Sequence, residues 1–251
     1  MTDIAALFDL TGRRALVTGA RTGIGRMAAE TLAAAGADVI GLGSTPMPDT
    51  GEAVRALGRG FEEVTVDLSD AGAVAEFAGR MPEVDILVNN AGQIRRHDLM
   101  DFPARDWDGV LQINLSAAFT LSQAAARGMI AGGRPGRIVN VASLLAYQGG
   151  IRVVSYTAAK HGILGLTRAL SNELAGRGVT VNAIAPGYIA TDNTQALQDD
   201  PDRSKAILDR VPVGRWGTPD DLRTAVLFLA SPGSGFVTGT CVDVDGGWMA
   251  R

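Results

Sequence analysis

Seven short runs of apolar and β-branched residues recur along the chain, separated by segments whose apolar residues have helical spacing. The runs span residues 14–18, 37–40, 63–66, 84–88, 137–141, 179–184 and 240–244. Continuously apolar runs are typical of strands covered on both faces, and strands that alternate with helices form parallel sheets. We therefore expect an α/β fold in which helices flank a doubly wound, parallel, seven-stranded sheet.

The sequence predicts one domain spanning residues 1–251. It contains no Pro-rich or Ser-rich linker and no internal repeat, and 46% of its residues are apolar, which is enough to build a core. The least regular stretch is residues 191–216, which is polar and lies between a predicted strand and a predicted helix. A segment of this kind could cover a binding site, so residues 191–216 are a candidate substrate lid.

Composition excludes several classes of protein. One Cys and two distant His residues cannot form an internal disulfide or a Cys-based zinc site, so we expect no structural metal. The first residues lack the pattern of an export signal, and no uncharged stretch has the composition of a membrane span. A net charge of −4 without blocks of Lys or Arg argues against a nucleic-acid surface. We expect a cytoplasmic protein that binds neither membranes nor nucleic acid.

The first run is followed by a glycine-rich turn, residues 18–25, that opens a helix. Glycines there allow unusual backbone angles and close approach of a ligand, and the unpaired N–H groups at the helix start attract negative charge. The turn therefore predicts a cradle for the pyrophosphate of a dinucleotide. The candidate contacts are Gly19, Arg21, Thr22, Gly23, Ile24 and Gly25. The alternative is a tight strand-to-helix turn that binds nothing.

The end of the second run bears on the choice of coenzyme. An NAD site usually has an acid there, about 20 residues beyond the glycines, that binds the ribose 2′-hydroxyl. Residues 40–45 instead read Ile-Gly-Leu-Gly-Ser-Thr, with no cation and no acid before Asp49. Arg21 in the glycine turn could bind a 2′-phosphate, although a solvated loop arginine is the alternative. We expect NAD, with Ser44 among its contacts, and leave NADP open.

Tyr156 and Lys160 lie one turn apart on a segment whose later apolar residues continue a helical face. The chain has three Tyr and only two Lys, against 21 Arg, so a Lys in this place suggests chemistry that Arg cannot supply. A nearby ammonium lowers the pKa of a phenol and brings it toward the range of acid–base catalysis. The alternative is a partly buried Tyr beside a Lys whose charge reaches solvent.

Two further polar residues complete the candidate catalytic set. Ser143 follows the fifth run, at the edge where ligands bind in open α/β sheets. It could hold the substrate oxygen whose proton Tyr156 exchanges, or it could be an ordinary cap or turn residue. Asn114 interrupts an apolar helical run and is either a satisfied buried amide or part of a proton relay.

Together these residues resemble the short-chain dehydrogenase/reductase family in order and spacing over essentially the whole chain. The matching motifs are Thr18-Gly-x₃-Gly-x-Gly25, Asn89-Asn90-Ala91-Gly92, Asn114, Ser143, Tyr156-x₃-Lys160 and Pro186-Gly187. The resemblance implies a Rossmann-type sheet of order 3-2-1-4-5-6-7 and a nicotinamide coenzyme. It also implies a homotetramer, assembled through the helices that bear Asn114 and Tyr156 and through the C-terminal segment. The further coenzyme contacts that it implies are Asp67, Leu68, Asn90, Ala91, Gly92, Tyr156, Lys160, Pro186, Gly187, Ile189 and Thr191.

A second set of motifs resembles the sugar-acid branch of this family, the 2-deoxy-D-gluconate 3-dehydrogenases and 2-dehydro-3-deoxy-D-gluconate 5-dehydrogenases. These motifs are residues 92–96, 148–152, 191–195, 207–212, 214–217 and 245–251. The resemblance implies hydride transfer at a secondary alcohol or ketone of a deoxy sugar acid. Gluconate 5-dehydrogenases share part of the pattern, so a gluconate 5-dehydrogenase or another ketone reductase of the same family is the alternative. A non-catalytic dinucleotide-binding regulator is a rival from another class.

An anionic substrate would require cations near the catalytic residues. Arg suits a carboxylate because its guanidinium offers paired donors. Arg95, Arg96 and Arg152 follow a predicted strand or precede the catalytic helix, so each is a candidate, with an ordinary surface role as the alternative. Gln148, in the same segment as Arg152, and Arg251, reaching from a neighbouring subunit, are further candidates.

Overall fold

The computed structural model describes residues 3–250, which form a parallel sheet of seven strands with helices on both faces. The strands are β1 (Arg14–Thr18), β2 (Asp38–Gly43), β3 (Phe61–Thr65), β4 (Ile86–Asn89), β5 (Gly136–Val141), β6 (Val179–Pro186) and β7 (Cys241–Val244). Their order across the sheet is β3-β2-β1-β4-β5-β6-β7. Both the fold class and the strand order expected from the sequence are confirmed.

Some strand ends differ from the prediction. β2 runs to Gly43 rather than ending at residue 40, and β3 begins two residues earlier than predicted, at Phe61. Glycine lowers the strand propensity of this part of β2, but pairing with β3 compensates, since Gly41 pairs with Glu63 and Gly43 with Thr65. The strand therefore continues to the edge of the sheet where a ligand would bind.

The helices cover the two faces of the sheet. They are α1 (Gly23–Ala34), α2 (Pro48–Ala56), α3 (Ala71–Gly79), α4 (Ala104–Leu111), α5 (Ala117–Ala131), α6 (Val154–Leu174), α7 (Gln195–Gln198), α8 (Pro201–Leu208) and α9 (Arg223–Ala230). Ala15 and Val17 of β1 pack with α1 and α9, whereas Leu16 packs with α3 and α5. Because neighbouring strand residues enter two different cores, the strands are continuously apolar in sequence.

The candidate lid lies between β6 and α9 and contains α7 and α8. The carboxylate of Asp200 caps α8 by accepting hydrogen bonds from the N–H groups of Asp202 and Arg203, at 3.1 and 3.0 Å. The indole N–H of Trp216 donates to the hydroxyl of Ser204 at 3.1 Å, which ties α8 to the end of the segment. No helix within residues 3–250 is long and apolar enough to cross a membrane.

Candidate active site

A cleft of about 920 Å³ opens at the carboxyl ends of the strands. This position follows from the topology, because the loops that leave the ends of parallel strands meet at one edge of the sheet. Of the eighteen coenzyme contacts expected from the sequence, all but Gly25 line the cleft. The cleft therefore brings together the glycine turn, the end of β2 and the start of α6.

Gly25 faces the interior of the glycine turn instead of the cleft. A Cβ atom at this position would lie 2.1 Å from the carbonyl oxygen of Gly19 and 2.5 Å from the side-chain nitrogen of Asn90. No side chain can be accommodated there, so Gly25 acts on a ligand only through the shape of the turn. The turn is thus a compact backbone structure of the kind that a pyrophosphate requires.

The turn is held in place by hydrogen bonds to the loop after β4. The Thr18 hydroxyl accepts from the N–H groups of Asn90 and Ala91, both at 2.9 Å, and the Asn90 side chain donates to the Thr18 carbonyl, also at 2.9 Å. The Thr50 hydroxyl, at the start of α2, donates to the Ala20 carbonyl at 2.8 Å. These bonds satisfy polar groups near the cleft and fix the position of the glycine turn before any ligand is bound.

Arg21, Ser44 and Asp67 line the end of the cleft formed by β1, β2 and β3. Within residues 3–250 no carboxylate lies within ion-pair distance of Arg21, while Asp49 is 3.8 Å from Arg26 and does not line the cleft. Asp67 accepts hydrogen bonds from the backbone and hydroxyl of Ser69, and these bonds lower the pKa of its carboxyl group. Among the described residues, this end of the cleft therefore presents an arginine with no acidic partner and has no acid at the end of β2.

Tyr156, Ser143 and Lys160 meet in the middle of the cleft. Tyr156 and Lys160 lie one turn apart on α6, and the Lys160 Nζ atom is 5.4 Å from the centre of the Tyr156 ring. Ser143 follows β5, and its hydroxyl lies near enough to the Tyr156 phenol to lower the pKa of that group. The Lys160 ammonium donates to the Val141 carbonyl at 2.7 Å. The structure thus brings together three of the four residues proposed as the catalytic set.

Burial opposes the lowering of the Tyr156 pKa that we expected from Lys160. Burial raises the pKa of Tyr156 to about 12, against smaller lowering effects from the Ser143 hydrogen bond and the positive charge of Arg96. Burial also lowers the pKa of Lys160 to about 8. The same dry environment destabilises the phenolate and the ammonium, and it outweighs their attraction in the protein by itself.

Asn114 lies below the cleft, in a π-helical segment (Gln112–Ser116) that joins α4 to α5. Its side-chain amide donates to the carbonyl oxygens of Val110 and Gln93, both at 2.9 Å. The bond to Val110 takes an acceptor that a regular helix would offer to the backbone N–H of Asn114, so the helix widens locally. The sequence identified the residue but gave no sign of this widened turn.

The Oδ1 atom of Asn114 is buried and has no hydrogen-bond partner within the described chain. Asn114, Asn89 and Lys160 line an internal cavity of about 10 Å³. That volume holds about one water molecule, and the wall offers polar atoms to bind it. A water molecule there would lie beside both Asn114 and Lys160.

The candidate substrate residues are placed differently from one another. Gln148 and Arg96 line the cleft, but Arg95 and Arg152 do not. The Arg152 guanidinium pairs with Asp98 at 3.1 Å, and Arg152 has a left-handed backbone conformation with φ +65°. Arg251 lies outside the described residues.

The structure adds cleft residues that sequence reasoning missed. Arg203 and Arg210 come from the candidate lid, Tyr188 follows β6, and Trp248 comes from the C-terminal segment. Trp248 lies in the motif at residues 245–251 that resembles the sugar-acid branch, which was the available signal for it. Arg203 carried no signal because its short polar helix resembles an ordinary solvated surface.

Comparison with known proteins identifies the family. A family model, adh_short_C2, described as enoyl-(acyl carrier protein) reductase, matches residues 19–249. The chain is 50% identical to 2-dehydro-3-deoxy-D-gluconate 5-dehydrogenase of Dickeya dadantii over 252 residues, 97% of this chain and 98% of that protein. It is also 50% identical to the Escherichia coli protein of that name over 256 residues, 99% of this chain and 100% of the other.

A solved structure from Agrobacterium tumefaciens, described as a 2-deoxy-D-gluconate 3-dehydrogenase with bound NADP, superposes with a TM-score of 0.94. It is 49% identical in sequence, and the match covers 98% of this chain and 99% of that one. Half of the residues are thus shared over nearly the full length of several relatives, in agreement with the order of the sheet and the helix that carries Tyr156 and Lys160. The chain belongs to the short-chain dehydrogenase/reductase family.

Proposed function

We propose that the protein is an oxidoreductase that interconverts a secondary alcohol and a ketone on a deoxy sugar acid. The proposed substrates are of the 2-dehydro-3-deoxy-D-gluconate or 2-deoxy-D-gluconate type. The observation that carries the proposal is the meeting of Tyr156, Ser143 and Lys160 in a cleft whose other half has the shape and donors for a dinucleotide. The relatives of 50% identity, which are named as dehydrogenases of such an acid, support the substrate class.

The proposed chemistry divides between the coenzyme and this chain. A nicotinamide dinucleotide, when bound along the glycine turn, supplies or accepts the hydride. Ser143 would donate a hydrogen bond to the substrate oxygen and orient it. Tyr156, beside Ser143 in the cleft, would take the hydroxyl proton during oxidation and return it during reduction. Lys160, whose ammonium is held by Val141, would stabilise the Tyr156 phenolate and bind ribose hydroxyls.

Asn114 would support a water relay that carries the proton between the active site and solvent. Its unpartnered Oδ1 atom and the small cavity shared with Lys160 favour a water-mediated relay over the alternative of a merely structural amide. The raised pKa of Tyr156 adds a requirement, because forming the phenolate near neutral pH then needs the positive charge of Lys160. Positioning and electrostatics are the protein's contribution.

We propose that the cleft accepts NADP as well as the NAD expected from the sequence. The end of β2 has no carboxylate in the cleft to repel a 2′-phosphate, and Arg21 lines the same end without an acidic partner in residues 3–250. The A. tumefaciens structure, described with NADP bound, supports this assignment. Arg21 would then bind the phosphate, and Ser44 would lie near it.

The family resemblance also leads us to propose a cytoplasmic homotetramer with 191–216 as its substrate lid. Exposed apolar side chains support subunit contacts on the two implicated helices, Phe119 on α5 and Val154 at the start of α6. Light scattering after size exclusion should give four times the monomer mass. A monomer would contradict the proposed assembly.

The test of function is a substrate panel monitored by the absorbance of reduced nicotinamide. It should include 2-dehydro-3-deoxy-D-gluconate, 2-deoxy-D-gluconate, D-gluconate, a 3-oxoacyl thioester and simple apolar ketones, each with NAD and NADP. We expect turnover with a deoxy sugar acid, and we expect Tyr156→Phe to remove most of it while coenzyme binding is retained. Greatest activity with D-gluconate or with the apolar ketones would favour the corresponding rival dehydrogenase. Coenzyme binding without any turnover would favour the regulator.

A further inference from the structure

Four arginines line the cleft: Arg21, Arg96, Arg203 and Arg210. Arg21 lies at the end formed by β1 to β3, and the charge of Arg96 acts on the reacting phenol of Tyr156. Arg203 and Arg210 belong to the candidate lid. We infer that Arg203, on α8, binds the carboxylate of the sugar acid, together with Tyr188 and Gln148. This inference rests on the proposed function and assigns the part of the site that recognises the acid.

Within the described part of the chain, Arg203 differs from Lys205 and Arg215 in having no acidic partner. Lys205, on the same helix, pairs with Asp209, and Arg215, after the helix, pairs with Asp221. Among residues 3–250 no carboxylate lies within ion-pair distance of Arg203, although Asp192 also lines the cleft from the same segment. A guanidinium that faces a cleft without a counter-ion is a ready partner for an anionic ligand.

The neighbours of Arg203 supply uncharged donors. The charges of Arg203 and Arg210 act on Tyr188, whose pKa is raised by burial and lowered in part by these two cations. The Tyr188 ring packs against Trp248 at 4.7 Å and against Trp216 at 5.8 Å between ring centres. These contacts hold the phenol on the cleft wall beside the arginine, where its O–H can donate to a carboxylate.

Gln148 is oriented by Trp248. The indole N–H of Trp248 donates to the Gln148 side-chain oxygen at 3.0 Å, so the oxygen is engaged and the amide N–H groups remain as donors. Gln148 lines the cleft, and its side-chain nitrogen has no partner within the described chain. Arg203, Tyr188 and Gln148 therefore present donors from three separate parts of the fold.

The test measures binding rather than turnover. In the Tyr156→Phe protein saturated with coenzyme, calorimetry gives the Kd of 2-dehydro-3-deoxy-D-gluconate and of 2-deoxy-D-gluconate, each compared with its uncharged C1 carboxamide. We expect the acid to bind roughly 10- to 100-fold more tightly than the amide. Adding Arg203→Gln to the Tyr156→Phe protein should remove this preference. Arg203→Lys should restore part of it. The matched control, Lys205→Gln, removes one positive charge from the same helix outside the cleft and should retain the preference.

Each outcome decides the assignment. An unchanged acid-to-amide ratio in Arg203→Gln, its loss in Arg96→Gln alone, or no preference for the acid in the parent protein would overturn the inference. Melting temperatures of the variants establish that each is folded. Failure of the proposed function is separate: a wild-type protein that turns over no sugar acid refutes that function, while loss of acid preference in Arg203→Gln still identifies the anion site.

Discussion

The ammonium of Lys160 donates a hydrogen bond to the carbonyl oxygen of Val141, 2.7 Å away at the carboxyl end of β5. Lys160 is only 4% exposed, and no carboxylate within residues 3–250 lies within ion-pair distance of it. A backbone carbonyl satisfies one donor but does not neutralise the charge, so burial lowers the pKa of this lysine to about 8. The cleft therefore contains a cation whose burial in the charged form costs free energy and whose position is fixed by a hydrogen bond.

This burial predicts how stability changes with pH. The pKa of Lys160 is about 8 in the folded protein and 10.5 when the side chain is free, so between these values the unfolded chain binds more protons. The free energy of unfolding of wild type, relative to Lys160→Met, should rise with pH across this window by at most about 1.4 kcal/mol per pH unit. Urea titrations at several pH values measure the difference. Parallel curves for the two proteins would refute the shift.

Gly92 should be required for the position of Asn114. A Cβ at residue 92 would lie 2.6 Å from the Asn114 Oδ1 atom, and two hydrogen bonds hold the Asn114 side chain in place. Gly92→Ala should therefore displace Asn114 and lower kcat by roughly 10- to 100-fold. Steady-state kinetics with the best substrate of the panel measure the effect.

Gly79 provides the control for that change. A Cβ at this position, at the end of α3, would meet nothing within 4 Å. Gly79→Ala should retain kcat and add about 0.4–1 kcal/mol of stability by restricting the unfolded chain. If Gly92→Ala kept the wild-type kcat, the close approach of Gly92 to Asn114 would not be required for turnover.

Arg137 should matter for stability and not for catalysis. It is 6% exposed at the start of β5, and its guanidinium donates to the carbonyls of Ser231 at 3.0 Å and Pro232 at 3.3 Å, just after α9. Arg137→Met leaves these carbonyls without donors and should lower the free energy of unfolding by about 3 kcal/mol. That corresponds to a fall in Tm of roughly 6–12 °C.

The measurement for Arg137→Met is thermal unfolding by calorimetry, combined with KM for substrate and coenzyme. KM should be unchanged because the cleft lies at the opposite ends of the strands. The exposed Arg177→Met variant is the control and should melt near wild type. A raised KM in Arg137→Met would show that the change reaches the cleft.

Arg21 should discriminate between the two coenzymes. If its guanidinium binds the 2′-phosphate, Arg21→Ala should weaken NADP binding by roughly tenfold and leave NAD binding unchanged. Titration of each coenzyme by the fluorescence of its reduced form gives both Kd values. Equal losses for NAD and NADP would mean that Arg21 supports the shape of the glycine turn instead.

The sequence was most informative where function follows from local spacing. The glycine turn, the pair Tyr156 and Lys160, and Ser143 each lie at a fixed offset from a strand or along a helix, so periodicity is enough to locate them. The seven strands followed from the same kind of pattern. Their ends did not, because pairing with a neighbouring strand extends β2 through two glycines.

Which arginines line the site depends on contacts between segments that are distant in the sequence. Arg95 and Arg96 are adjacent in one loop, yet only Arg96 lines the cleft. Arg152 is engaged by Asp98, and Arg203 enters the site from a helix far along the chain. The direction in which the Tyr156 pKa shifts likewise depends on how deeply tertiary packing buries the phenol. The spacing of residues along the sequence does not specify that depth.

The candidate lid begins against the glycine turn. A Cβ built on Gly23 would lie 3.5 Å from the methyl group of Thr191, the residue at which the lid starts. Both residues also line the cleft, so the glycine turn and the start of the candidate lid form one continuous wall. A ligand that lies along the turn therefore faces the candidate lid as well.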